Sequence, residues 1–68
     1  MTNRQKLAKR IIDLRTKKGL SSEKLAFISG ISKTGLRYIE RAVNDPKFST
    51  LNQIAKGLDI SLKGLMDF

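Results

Sequence analysis

Lys33, Arg37 and Arg41 recur every four residues in the stretch Leu20–Arg41, LSSEKLAFISGISKTGLRYIER. On a helix that spacing stacks three cations in one line, and a line of fixed positive charge suits a polyanion. Thr34 and Tyr38 flank the line with hydroxyls that can donate or accept hydrogen bonds. Leu36 and Ile39, three apart, fall on the other side and can face inward with Ile31. Gly35 leaves two readings open, since glycine in a helix interior costs roughly 0.5–1 kcal/mol relative to alanine. It is a surface glycine of no consequence, or its missing side chain lets backbone approach a phosphate or a thymine methyl.

The chain has no cysteine and no histidine. Disulfides, the common zinc sites and Cys or His nucleophile chemistry are excluded with them. The carboxylates are scattered rather than paired, so the expectation is a protein that is not an enzyme and uses no metal or cofactor. The net charge is +8 and its distribution is uneven: residues 1–41 carry 11 Lys and Arg against 3 acids, whereas residues 42–68 carry 3 against 3. A solvated surface would account for a charge run. The coincidence of this excess with the cationic line favours a phosphate-bearing partner, nucleic acid above all.

These residues need helices to position them. Ser21 is placed to cap a helix over Ser22–Ser29, and Gly30 ends it where a left-handed residue is cheapest. Ile31 follows as an apolar plug, and Ser32 caps a second helix from Lys33 to about Arg41. That is a helix-turn-helix plan. Upstream, Thr2 with Gln5 forms a capping-box pattern, and Leu7, Ile11 and Leu14 recur at helical spacing, giving a first helix from about Asn3 to Lys17 with Lys6, Lys9 and Arg10 on its outer face. Gly19 is the C-cap candidate and Leu20 its apolar anchor. Leu25, Ala26 and Ile28 are core candidates, with Phe27 either core or half exposed. Downstream, the third helix is expected to run on to Val43, with Asn44 left-handed and Asp45–Pro46 closing the turn. Phe48, Leu51, Ile54, Ala55 and Leu58 give a fourth helix to about Gly57 or Leu58, and Ser61 caps a last one through Leu65 or Met66.

Leu25, Ala26, Gly30, Ile31, Ser32, Leu36, Ile39, Glu40 and Arg41 resemble the L-A-x-x-x-G-[VI]-S-x-x-x-[IL]-x-x-[IW]-E-[RN] signature of the Cro and lambda-repressor-like (XRE) helix-turn-helix family. The run from Pro46 to Met66 resembles the family's closing pattern. The resemblance implies an all-α fold, a compact five-helix lambda-repressor-like domain over residues 1–68 with helices 2 and 3 as the helix-turn-helix. It implies a sequence-specific transcription regulator that binds double-stranded DNA as a homodimer on an inverted-repeat operator, like phage Cro-like repressors or restriction-modification controller proteins. Lys33, Thr34, Arg37 and Tyr38 are then the expected base contacts, and Ser22, Ser32, Arg41, Asn44 and Lys47 the expected phosphate contacts. By the same resemblance Arg15 is expected to pair with Glu40.

Several positions depart from the family pattern. Ser22 stands where many members have a longer glutamine that reaches a phosphate, Ala42 where glycine commonly ends the recognition helix, Lys47 where a serine cap is usual, and Gly57 where alanine is usual. Ile12 replaces a usual charge. The tail residues Leu62, Leu65, Met66 and Phe68 either form a dimer interface or fold back on the chain's own core. Antitoxins share the fold, so a toxin protein is the alternative partner, with no toxin-wrapping tail left over once the signature is placed. No apolar run reaches membrane-spanning length and no signal-peptide core is present, which gives a cytoplasmic expectation with no membrane partner. No small-molecule ligand is evident.

Overall fold

The computed structural model describes all 68 residues. Five helices follow one another: α1 (Asn3–Lys17), α2 (Ser22–Ser29), α3 (Lys33–Glu40), α4 (Phe48–Gly57) and α5 (Leu62–Leu65). Local chemistry sets most of their starts. Thr2 Oγ1 accepts from the Gln5 N–H at 3.1 Å while Gln5 Oε1 accepts from the Thr2 N–H at 2.8 Å, a reciprocal box that opens α1. Ser21, Ser32 and Ser61 each accept from an N–H three residues on, at 3.1, 2.9 and 3.0 Å, and open α2, α3 and α5. Only α4 starts without such a bond, from Lys47.

The first four helices end in one motif. A left-handed residue (Gly19, Gly30, Ala42 or Asp59) gives its N–H to the carbonyl three back. The next residue (Leu20, Ile31, Val43 or Ile60) gives its N–H to the carbonyl five back. Leu20, Ile31 and Ile60 then pack on the core. The third helix therefore ends at Glu40, three residues short of the expected Val43, and Ala42 rather than Asn44 takes the left-handed position at φ +58°. The repeated motif overrides the low tolerance of alanine for that conformation.

The core joins all five helices: Leu7 and Ile11 of α1, Leu25 and Ala26 of α2, Leu36 and Ile39 of α3, Ile54 and Ala55 of α4, Leu58, and Leu65 of α5. α2 packs on α4 and α3, and α1 on α3. The inward stripe of α2 is Leu25, Ala26 and Ser29, so Ile28, expected in the core, is rotated to the surface. Phe48 is also exposed, at 68 %, because it is the first residue of α4 and helical side chains lean toward the N-terminus, off the end of the packed stripe. Arg10 turns inward instead of joining the outer face: its Nη2 donates to the Gly64 carbonyl at 2.9 Å and anchors α5 on α1.

Gly57 has a packing role. A β-carbon there would collide with Ser29 Oγ and crowd Leu25 Cδ1 at 3.3 Å, so the missing side chain is what lets α4 approach α2. No helix is long and apolar enough to cross a membrane.

Candidate nucleic-acid interface

α3 presents the two faces its pattern requires. Leu36 and Ile39 are buried, while Lys33, Thr34, Arg37 and Tyr38 are all exposed. Burying one side of an eight-residue helix fixes the rotation of the other, so the four polar side chains project together.

The helix is braced from behind. Arg15 of α1 donates from Nε and Nη2 to Glu40 at 2.7 and 3.1 Å, and from Nη1 to the Leu20 carbonyl at 3.2 Å. This one guanidinium joins α1, the turn before α2 and the C-terminal end of α3. The fork geometry fixes orientation as well as distance.

Beside α3 an open groove of about 530 Å³ is lined by Ile31, Ser32, Gly35, Ile39, Asn44, Asp45, Pro46, Lys47 and Thr50. It gathers three of the expected phosphate contacts, Ser32, Asn44 and Lys47, and adds Thr50, which the sequence pattern did not single out. The Ser32 hydroxyl oxygen is occupied by the Gly35 N–H, which leaves its proton for an anion. A β-carbon at Gly35 would lie 2.8 Å from that oxygen, so the glycine protects the cap. This role is distinct from both readings its position suggested.

The remaining expected contacts lie apart from this groove. Arg41, at the C-cap of α3, lines the shallow groove against α1 together with Lys9, Ile12 and Asp13. Ser22 is half-buried at the start of α2, next to the carboxylate of Glu23.

Two exposed ion pairs frame the surface. Arg4 clamps Asp45 at 2.9 and 3.1 Å, tying the loop between α3 and α4 to the start of α1. The hydrogen bond and charge of Arg4 hold the Asp45 carboxyl below its ordinary range, and Asp45 in turn raises the Arg4 guanidinium. On the other flank Lys33 Nζ donates to Glu23 Oε1 at 2.9 Å. That bond, the Lys33 charge and, more weakly, the Arg37 charge depress the Glu23 carboxyl. Neither pair was foreseen. Their members lie 41 and 10 residues apart, and no periodicity links residues on different elements. The lone acid of the first turn of α2 was the available signal for Glu23.

A family model described as helix-turn-helix, HTH_3, matches residues 11–65. Among solved structures the chain is similar to the restriction-modification controller protein C.AhdI from Aeromonas hydrophila, with 35% identity over 91% of this chain and 94% of that one and a TM-score of 0.88. It is similar to an HTH_3 family transcriptional regulator from Vibrio cholerae at 34% identity, covering 94% of this chain and 38% of that one, with a TM-score of 0.86. A mutant of the restriction-modification controller protein C.Esp1396I gives 31% identity, 90% and 79% coverage and a TM-score of 0.84. No curated protein matches.

Proposed function

The chain belongs to the HTH_3 helix-turn-helix family, and from that premise we propose that it is a transcription regulator that binds double-stranded DNA sequence-specifically, as a homodimer on an inverted repeat, in the manner of a restriction-modification controller protein. The observation that carries this reading is the exposed row of Lys33, Thr34, Arg37 and Tyr38 on a helix whose opposite side is locked into the core. α3 enters the major groove with its N-terminal residues toward the base edges. Lys33 and Arg37 can donate to guanine O6 and N7, while Thr34 and Tyr38 supply hydroxyls for neighbouring bases. Ser32, Asn44 and Lys47 hold a phosphate along the groove beside α3, and Ser22 and Arg41 serve phosphates at the two ends of the helix-turn-helix.

The controller-type reading is supported by likeness to C.AhdI along nearly the whole of both chains. Dimerisation is assigned to the tail, where Met66 and Phe68 are exposed beside half-buried Leu62. No cofactor and no catalytic group enters this function, and the cytoplasm is its place of action.

Selection of bound sequences from a random duplex library near physiological salt tests the reading. The expected result is an enriched inverted repeat with half-site centres roughly 10 base pairs apart. Salt-sensitive binding without enrichment would reduce the +8 charge to non-specific attraction and overturn it.

A further inference from the structure

We propose that Glu23 is a specificity-determining residue that reads a G·C base pair jointly with Lys33, the ammonium engaging guanine and the carboxylate accepting from the cytosine amino group. The inference rests on the reading of α3 as the major-groove helix.

The pair sits where the N-terminal ends of the two helices of the helix-turn-helix meet: Glu23 is in the first turn of α2 and Lys33 opens α3. Its side chains are 67 % and 53 % exposed, so it is not a packed structural bridge. An exposed pair of this kind adds little to folding. Placed against DNA, a carboxylate is repelled by phosphates unless a donor receives it. The other acids of residues 1–41 are occupied elsewhere, Asp13 by Lys9 and Glu40 by Arg15. Asp45, which lines the groove beside α3, is clamped by Arg4, whereas the partner of Glu23 is itself a base-contact candidate of α3.

The major groove offers the Glu23–Lys33 pair an acceptor and a donor in a matching arrangement. In a G·C pair the guanine O6 acceptor lies directly beside the cytosine N4 amino donor. The two are joined by an N–H···O bond of roughly 2.9 Å. Lys33 Nζ and Glu23 Oε1 present a donor and an acceptor at the same 2.9 Å spacing. Docked edge to edge, the ammonium donates to O6 and the cytosine amino group donates to the carboxylate, while guanine N7 offers the ammonium a second acceptor. A T·A pair also has neighbouring O4 and N6, but it sets the thymine methyl beside the ammonium and the adenine N7 lone pair beside the carboxylate. The Lys33 hydrogen bond and charge and, more weakly, the Arg37 charge hold the carboxyl below its ordinary range, ionised and able to accept.

The test is selection from a random duplex library with the full chain and its Glu23→Ala and Lys33→Ala variants, with thermal unfolding as a folding control. The wild type should enrich G·C at one position of each half-site. Both variants should relax preference at that same position, by about tenfold each, with the double variant little worse than either, because the contact is shared. If Glu23→Ala keeps every base preference and only binds all duplexes more tightly, Glu23 does no more than mask Lys33 and the inference is overturned. Absence of any enrichment by the wild type is a separate result, which removes the DNA-reading premise itself.

Discussion

Arg15 and Glu40 meet in a two-point ion pair between α1 and the last residue of α3, with side chains only 17 % and 9 % exposed. So little solvent screens the pair that removing one partner strands a charge, while removing both does not. Glu40→Ala should lower unfolding free energy by about 2–3 kcal/mol in urea titrations. The double replacement Arg15→Met with Glu40→Leu should recover most of it. DNA affinity is expected to stay reduced in the double variant, because apolar packing restores stability without the fork that fixes the tilt of α3. Full recovery of both properties would show that the pair only stabilises.

Ala42 occupies a left-handed position, φ +58°, where a β-carbon costs roughly 1–2 kcal/mol. Glycine avoids that strain but loses more backbone freedom on folding, by roughly 0.5–1 kcal/mol. Ala42→Gly should therefore be stabilising by up to about 1.5 kcal/mol, seen as a raised urea midpoint with unchanged slope. Asn44→Gly, two residues on, should bring no such gain. The opposite ranking would place the left-handed residue at Asn44.

What the sequence made legible was local. Capping bonds act over three residues, so Thr2, Ser21, Ser32 and Ser61 mark helix starts, and Gly19 and Gly30 mark ends. The end of α3 was hidden because an alanine gives no signal for a left-handed turn. The only trace is an apolar residue just after each left-handed one, as in Leu20, Ile31, Val43 and Ile60. Ile28 was misplaced because counting apolar residues does not show that Ser29 fills the inward position on α2, whereas the start of α4 at Phe48 was readable. At the candidate interface the exposed row on α3 was readable from one helix's faces. The pairs Glu23–Lys33 and Arg4–Asp45 join different parts of the chain and depend on how helices cross.

Asp45 and Glu23 give the protein an acid sensitivity of defined sign. Both carboxyls are depressed in the folded chain, by Arg4 and by Lys33. Their contribution to stability is present above the ordinary carboxyl range of the unfolded chain and is lost as pH falls through the depressed folded values. Stability measured by urea titration at successively lower pH should decline slightly through that window, since exposed pairs contribute little to folding. Asp45→Asn should flatten part of the decline, since a side chain that cannot titrate adds nothing to the slope. If Asp45→Asn leaves the pH profile unchanged, the Arg4 clamp is not populated in solution.

The tail separates the proposed dimer surface from the core. Leu65, one of the expected interface residues, is 0 % exposed and belongs to the core cluster with Leu7 and Ile54, whereas Met66 and Phe68 are 39 % and 46 % exposed. Burying an aspartate at position 65 would desolvate a charge with no partner, so Leu65→Asp should unfold the domain rather than release monomers. Even Leu65→Ala should cost about 2–5 kcal/mol through the cavity it leaves. Met66→Asp and Phe68→Asp place the charge in water when the chain is alone and in an apolar contact only when two chains meet. They should therefore keep the wild-type helical content by circular dichroism and sediment as monomers, with weakened operator binding. Unchanged sedimentation of both variants would move the interface to another surface, with exposed Phe27 and Ile28 on α2 the next residues to charge.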